Sequence, residues 1–250
     1  MKNLKKKYTN VIQQILELPD SKLLRYLLAC ECKYKETKIA LKNHLVFTES
    51  LKSCLIDDEI LSFLRSGQLY IYGRDKNFRP IVVFSAKKFK IEDGINEEKL
   101  IKCFTYFFEY LMNNLLIPGQ VENWVQITDL KDTSLWSIPY KKLGELIKFA
   151  QSSYRSRLFR AYVVNAPGTV TMAWSMAKKF MSPVSASKVD ISGKNYSKRM
   201  WEHINKDQIE QKYGGTAPNL EPPFIEPEQI WPPKATSYNF MLPNDKPSER

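Results

Sequence analysis

Between Leu69 and Met181 the hydrophobic period of the chain alternates between two residues and 3.6, and this alternation constrains the fold more than any other feature. Leu69-Tyr-Ile-Tyr72 and Ile81-Val-Val-Phe84 are β-type runs on either side of a turn-rich segment, Gly73 to Pro80, and predict adjacent strands. A helical stretch over residues 98–117 follows, with Leu100, Phe104, Phe107, Phe108, Leu111 and Leu115 among its apolar positions. Trp124 to Asp129 reads as a buried strand. Tyr140 to Ser153 reads as an amphipathic helix with Leu143, Leu146, Ile147 and Ala150 on one face. Phe159 to Val164 is another strand, and a helix over Val170 to Met181 closes the series. Strands and helices in strict alternation are the grammar of an α/β fold with a mostly parallel sheet.

The segments on either side follow other rules. Residues 9–65 carry apolar stripes at helical spacing, including Ile15, Leu16, Leu24, Leu28, Ile39, Leu41, Val46, Phe63 and Leu64. They predict a helical lobe over residues 1–65, its stripes packed as core, with Pro19-Asp20-Ser21 as a break and helix cap. After Gly214-Gly215 prolines crowd the chain, so residues 218–250 are expected to form an irregular tail behind a lobe spanning 66–217.

With 250 residues, 43% of them apolar, the chain is long enough for one large domain or two small ones with a substantial core. The formal charge of +11 favours phosphate-rich partners, nucleic acid or an anionic membrane. The basic residues are interspersed with acids and no aromatic–basic reading motif appears, which argues against nucleic acid. Cys30, Cys32, Cys54 and Cys103 lack zinc-site spacing, so no metal is expected and free thiols fit better. No run approaches the roughly 20 apolar residues that span a bilayer, so any membrane contact is expected to be peripheral.

Within this framework several pieces stand in order. They are Leu23-Leu-Arg-Tyr-Leu27, Asn77-Phe-Arg-Pro-Ile-Val82, Ile127-Thr-Asp-Leu-Lys131, Tyr154-Arg-Ser-Arg157, Val163-Val-Asn-Ala-Pro167, Lys179 to Val189 and Tyr213-Gly-Gly215. Together they resemble the CRAL-TRIO lipid-binding family, in particular its secretory phosphatidylinositol/phosphatidylcholine transfer proteins. The match runs through the family's Leu-Leu-Arg-Phe-Leu, Gly-Arg-Pro-Val, Asp-Leu-Lys-Gly, Tyr-Pro-Glu-Arg, Asn-Ala-Pro, Thr-x-x-Lys and Tyr-Gly-Gly elements.

That resemblance implies a helical N-terminal lobe packed on an α/β lobe whose sheet floors a deep apolar cavity. It implies a cytoplasmic binding role rather than catalysis: one phospholipid held inside, no cofactor, a monomer in transient contact with an anionic membrane. A mobile gating helix would comprise Val170, Met172, Ala173, Trp174, Met176 and Ala177, with Phe180 at its end. The headgroup would meet Ser156, Ser185 and Lys188. Candidate lining residues are Phe104, Phe107, Phe108, Tyr110, Leu111, Trp124, Gln126 and Val163.

Departures from the family pattern bear on the ligand. Ser156 stands where the transfer proteins have the glutamate that accepts from inositol hydroxyls, while Ser185 and Lys188 keep a hydroxyl and an ammonium for a phosphate. The hydroxyl pair used for choline lipids falls at Trp124 and Gln126. Two alternatives remain open. One is another hydrophobe of tocopherol or retinal type in the same fold. The other is an α/β-hydrolase-like lipid esterase using Ser175, Asp190 and His203, although Ser175 lies within a helical pattern rather than on a tight turn after a strand.

Overall fold

The structure, a computed structural model, describes residues 13–51, 58–87, 97–133, 140–191 and 196–220. The N-terminal lysines, Cys54 and the Pro-rich tail from residue 221 onward lie outside the described residues.

The chain forms α1 (Asp20–Ala29), α2 (Tyr34–Ser50) and α3 (Asp58–Arg65), then the hairpin β1 (Leu69–Arg74) and β2 (Pro80–Ser85). Next come α4 (Glu97–Asn114), β3 (Trp124–Asp129), α5 (Tyr140–Ser153) and β4 (Leu158–Val164). Then follow α6 (Val170–Ala177), a 3₁₀ turn at Lys178–Phe180, α7 (Pro183–Ser187), β5 (Val189–Ile191) and α8 (Tyr196–His203). The five strands stand in sequence order, β1 antiparallel to β2 and every later neighbour parallel. The α/β class and the mostly parallel sheet expected from the sequence are those found.

Strand order without a reversal has a consequence. Parallel crossovers are right-handed, so three of them running in one direction place their helices on a single face of the sheet. Alternation then sorts the side chains. Leu69, Ile71, Val82 and Trp124 face α4 and α5 in one cluster. Tyr70, Ile81, Val83, Val125, Ile127, Tyr162 and Val164 face the other way, onto Met200 and Ile204 and onto Ile209 and Tyr213 beyond α8.

The hairpin turn is organised by Asp75, whose Oδ1 accepts from the Asn77 and Arg79 backbone N–H at 2.9 and 2.8 Å. Its Oδ2 pairs with the Arg79 guanidinium at 2.9 Å, which leaves this buried carboxylate fully engaged. On the far face Tyr213 donates to Asp129 and Tyr70 donates to Glu210, closing a buried polar network under the sheet.

Several local expectations need correction. α1 begins at Asp20 with Pro19 in the cap position and no side-chain cap; the Pro19 carbonyl instead accepts from Lys22 and Leu23 N–H. The stripes of the helical lobe are not all core. Tyr26, Cys30, Ala40 and Leu41 bury against one another, whereas Leu16, Leu24, Leu28, Ile39 and Val46 are exposed among the described residues. A helix pair can bury only its facing stripes, and these helices carry apolar residues on more than one face. α4 stops at Asn114 rather than 117, because Pro118-Gly119 follows and Ile117 instead bridges to Val121. The helix expected to run from Val170 to Met181 ends at Ala177 and tightens into the 3₁₀ turn.

Candidate functional site

On the helix-covered face, beneath α5 and α6, the sheet floors a cavity of about 860 Å³, within the upper range of small-molecule sites. β3 contributes Trp124, Gln126 and Thr128, β4 contributes Leu158, Ala161 and Val163, and β5 contributes Val189 and Ile191. The roof comes from Leu143, Ile147 and Ala150 of α5 and from α6. Leu28 and Ala29, at the end of α1, complete the wall.

The hollow is kept open in part by small residues on its floor and roof. Ala150, Ala161, Ala173 and Ala177 all line it, and none can reach across to its opposite wall. α6 presents Val170, Ala173, Trp174 and Ala177 inward at the i, i+3, i+4, i+7 spacing of one helical face. Met172 and Met176 are 49% and 42% exposed, on the other face. The helix is therefore apolar on both sides, while Lys178 and Lys179 at its end are exposed.

Two anchors hold α6 over the hollow. At its start, Asn165 adopts a left-handed backbone with φ 53° and donates through Nδ2 to Asp129 Oδ1 at 2.8 Å. At its end, Phe180 lies directly on Gly144 of α5, where a Cβ would come within 2.7 Å of the ring. Lys148 stands 5.4 Å from the same ring centroid. Gln151 donates to the Phe180 carbonyl at 2.9 Å and accepts from the Ser182 N–H at 2.9 Å. One helix thus grips both the ring and the backbone of the segment that follows α6.

Polar groups border the cavity as well. Ser156, Ser185 and Lys188 all border the cavity, and Lys188 Nζ donates to the Leu158 carbonyl at 2.6 Å. Burial holds the Lys188 ammonium below its ordinary pKa, as expected for a cation that lacks an anionic partner in a desolvated place. Ser182 Oγ caps α7 by accepting from the Ser185 N–H, so the hydroxyl at 185 sits on the first turn of a short helix. Gln126 donates to Thr128 Oγ1 at 3.0 Å, which satisfies part of the polar floor internally.

The match to the CRAL/TRIO domain model runs over residues 64–215, most of the described α/β lobe. The chain belongs to the CRAL/TRIO domain family. This is a family of lipid-binding transfer proteins with Sec14-type members. A CRAL-TRIO domain-containing protein of Schizosaccharomyces pombe is 29% identical over 162 residues, covering 65% of this chain and 35% of that protein. The SEC14 cytosolic factor of Yarrowia lipolytica is 25% identical over 186 residues, covering 65% of this chain and 38% of that protein. The chain thus spans well under half of the length of these two relatives. The SEC14 cytosolic factor of Kluyveromyces lactis is 25% identical over 251 residues, with 90% and 83% covered. The crystal structure of Sfh5 superposes with a TM-score of 0.68 at 16% identity, covering 86% of this chain and 77% of that one; this likeness concerns the fold.

In this CRAL/TRIO chain the expected residues divide. Phe108, Trp124, Gln126 and Val163 border the cavity, as do Val170, Ala173, Trp174, Ala177 and Phe180. Phe104, Phe107, Tyr110 and Leu111 do not; they belong to the packed cluster beneath α4. The reason is helical geometry: residues 104, 107 and 111 share the face of α4 that meets β1 and β2, and Phe108 alone among these residues reaches the cavity edge. There it stacks on Trp124 with centroids 5.0 Å apart and an interplanar angle of 15°.

The hydrolase residues are not assembled. Ser175 Oγ donates to the Thr171 carbonyl at 2.9 Å from within α6. Asp190 pairs with Arg199 at 3.0 Å, and His203 Nδ1 shares a hydrogen bond with the Tyr162 hydroxyl at 2.9 Å. Each has a different partner, and Ser175 lacks the tight strand-to-helix turn that exposes a nucleophile.

Sequence reading passed over Gly144, Gln151, Thr128 and Arg155. A glycine inside a helix costs about 1 kcal/mol relative to alanine, so Gly144 within Tyr140–Ser153 carried a readable signal that something approaches the backbone there. Nothing in the pattern said that Phe180 was that neighbour.

Proposed function

We propose that this chain binds one phospholipid with its acyl chains in the 860 Å³ cavity and its phosphate at the Ser185–Lys188 end, and exchanges it at membrane surfaces. The observation that carries the reading is a largely apolar hollow that Ser156, Ser185 and Lys188 also border, beneath a helix apolar on both faces. A diacyl lipid has some thirty methylenes, and exposing them to water costs on the order of 20 kcal/mol. A carrier must replace the bilayer with an interior of similar character, so that extraction is close to neutral. Trp124, Leu158, Val163, Val189 and Ile191 on the floor and Ile147, Val170 and Trp174 above supply it.

The lid has to open for exchange. Its outer face, with Met172 and Met176, suits the acyl boundary of a bilayer, and Lys178 and Lys179 suit anionic headgroups beside it. Opening separates Phe180 from Gly144 and Gln151 while the Asn165–Asp129 hydrogen bond holds the other end, so α6 swings rather than detaches. Among the described residues no helix is long and apolar enough to cross a membrane, in keeping with transient contact by a carrier acting in the cytosol, where the SEC14 factors are named.

The test is mass spectrometry of lipid co-purifying with the protein, followed by transfer between vesicles. A phospholipid at one per chain is expected, and Lys188→Ala is expected to reduce phosphoinositide transfer at least several-fold while leaving the unfolding transition in place. Unchanged transfer removes Lys188 from the site. A prenol-type ligand in place of phospholipid redirects the reading to another hydrophobe, and failure to take up any lipid ends it.

A further inference from the structure

The Arg155 side chain borders the cavity with bonding capacity that the protein does not use. Its Nε is buried without a hydrogen-bond partner, and its Nη1 meets only the Cys30 thiol, at 3.7 Å, which is a weak acceptor. Arg155 borders both the main cavity and a smaller neighbouring pocket of about 210 Å³ lined by Cys30, Glu36, Ile39, Ala40 and Asn43. An unpaired guanidinium nitrogen out of reach of solvent is costly, and a ligand that completes it is one way to remove that cost.

The surroundings make the place more positive. Arg25, 9% exposed, donates through Nη1 to the Arg155 carbonyl at 2.6 Å. Arg157 and Arg25 share one carboxylate, Glu122. Lys22 lies close enough to perturb the same groups. Burial first, and then Lys22, Arg25 and Arg157, push the His44 imidazole down to about 4. Burial raises the pKa of the nearby Glu109 carboxyl above its ordinary value. Of the acids on the cavity wall, Glu31 and Glu36 are exposed, and Glu31 is paired with Lys33 at 2.8 Å. Lys188, through its bond to the Leu158 carbonyl, is anchored only three residues along the chain from Arg155. Ser156 makes the left-handed corner between them at φ 58° and borders the cavity.

Set against the Tyr-Pro-Glu-Arg element that this stretch resembles, two changes act in one direction. Arginine stands in place of proline at 155, and serine in place of glutamate at 156. Each makes this end one charge more positive. A phosphodiester held by Ser185 and Lys188 leaves Arg155 unanswered.

We infer that Arg155, with Ser156, forms a second anion subsite that selects phospholipids carrying a phosphomonoester on the headgroup over those with the phosphodiester alone. The inference rests on the carrier reading above. A phosphomonoester brings a charge of about −1.5 to −2 and three acceptor oxygens, and the planar fork of a guanidinium matches two of them. Ser156 adds a hydroxyl donor where a carboxylate would repel the group.

The experiment offers the full chain phosphatidylcholine vesicles containing equal traces of phosphatidylinositol and a phosphatidylinositol monophosphate. The protein is then re-isolated and its bound lipid quantified. The monophosphate is expected to be enriched by about tenfold, the effect of one charge-assisted hydrogen bond in a partly buried site. Arg155→Gln is expected to bring the ratio near one, and Ser156→Glu to shift it the same way. Equal loading of the two lipids by the unaltered chain overturns the subsite, as does enrichment that survives Arg155→Gln. Failure to load either lipid overturns the carrier reading and this inference with it. Soluble inositol bisphosphate is expected to be lost on gel filtration; its retention without lipid overturns the assignment to a lipid headgroup.

Discussion

One face of one sheet meets its helices in two ways. Over β1 and β2, α4 sends Phe104, Phe107 and Leu111 down among Leu69, Ile71 and Val82, and the contact is solid, with Phe107 and Leu111 fully buried. Over β3 to β5, α5 and α6 send down Ala150, Ala173 and Ala177 toward Ala161 and Val163, and a cavity remains. The boundary is an aromatic wall in which Phe108 stacks on Trp124 and lies 4.9 Å from Tyr154. The packed half supplies stability through close contact, and the hollow half forgoes that contact to keep space for a ligand.

Truncation on each side is the most forceful way to break this contrast. Phe107→Ala is expected to cost about 3 to 5 kcal/mol, because it opens a void in a filled region. Ile147→Ala, on the cavity wall, is expected to cost about 1 kcal/mol, since its side chain already faces open space on one side. Urea unfolding of the two variants measures both. Equal costs would mean that the hollow is filled by neighbouring side chains in solution.

Filling the hollow asks the converse. Ala161→Phe places a ring on the cavity floor and is expected to reduce bound lipid at least tenfold, while stability changes by no more than about 1 to 2 kcal/mol. Lipid per chain by mass spectrometry, read beside the same unfolding curve, decides it. Normal loading would place the acyl chains elsewhere.

The smallest expected effect lies where the lid meets the hollow half. Gly144→Ala gives Phe180 a Cβ at a distance that cannot be tolerated, so the ring must move. Helix propensity gains up to about 1 kcal/mol from the same change. Global stability should therefore shift little, while lipid exchange between vesicles accelerates by a few-fold. Gln151→Ala, which removes both backbone bonds to the lid end, should act in the same direction. Exchange unaltered by both substitutions would show that the lid is limited elsewhere.

How far the sequence went can be judged from these residues. Strand–helix alternation and the bounds of α5 and β3 were legible because Leu143, Leu146, Ile147 and Val125, Ile127 state their period directly. β5 and α7 were not, because three and five residues are too short to show a period. Ser156, Ser185 and Lys188 were singled out by motif and all border the cavity, yet the motif gave no reason to single out Arg155. Arg155 matters only through what it lacks, a partner for Nε, and a missing partner is invisible until every neighbour has been placed.

The amino-acid order alone determined the element types, the parallel sheet and which residues alternate inward, since these follow from local period and chain connectivity. Tertiary structure decided that α4 fills its half of the sheet while α5 and α6 leave theirs hollow. Apolar side chains read alike in sequence whether they touch one another or line a void, and only the distance between the surfaces that carry them tells the two apart.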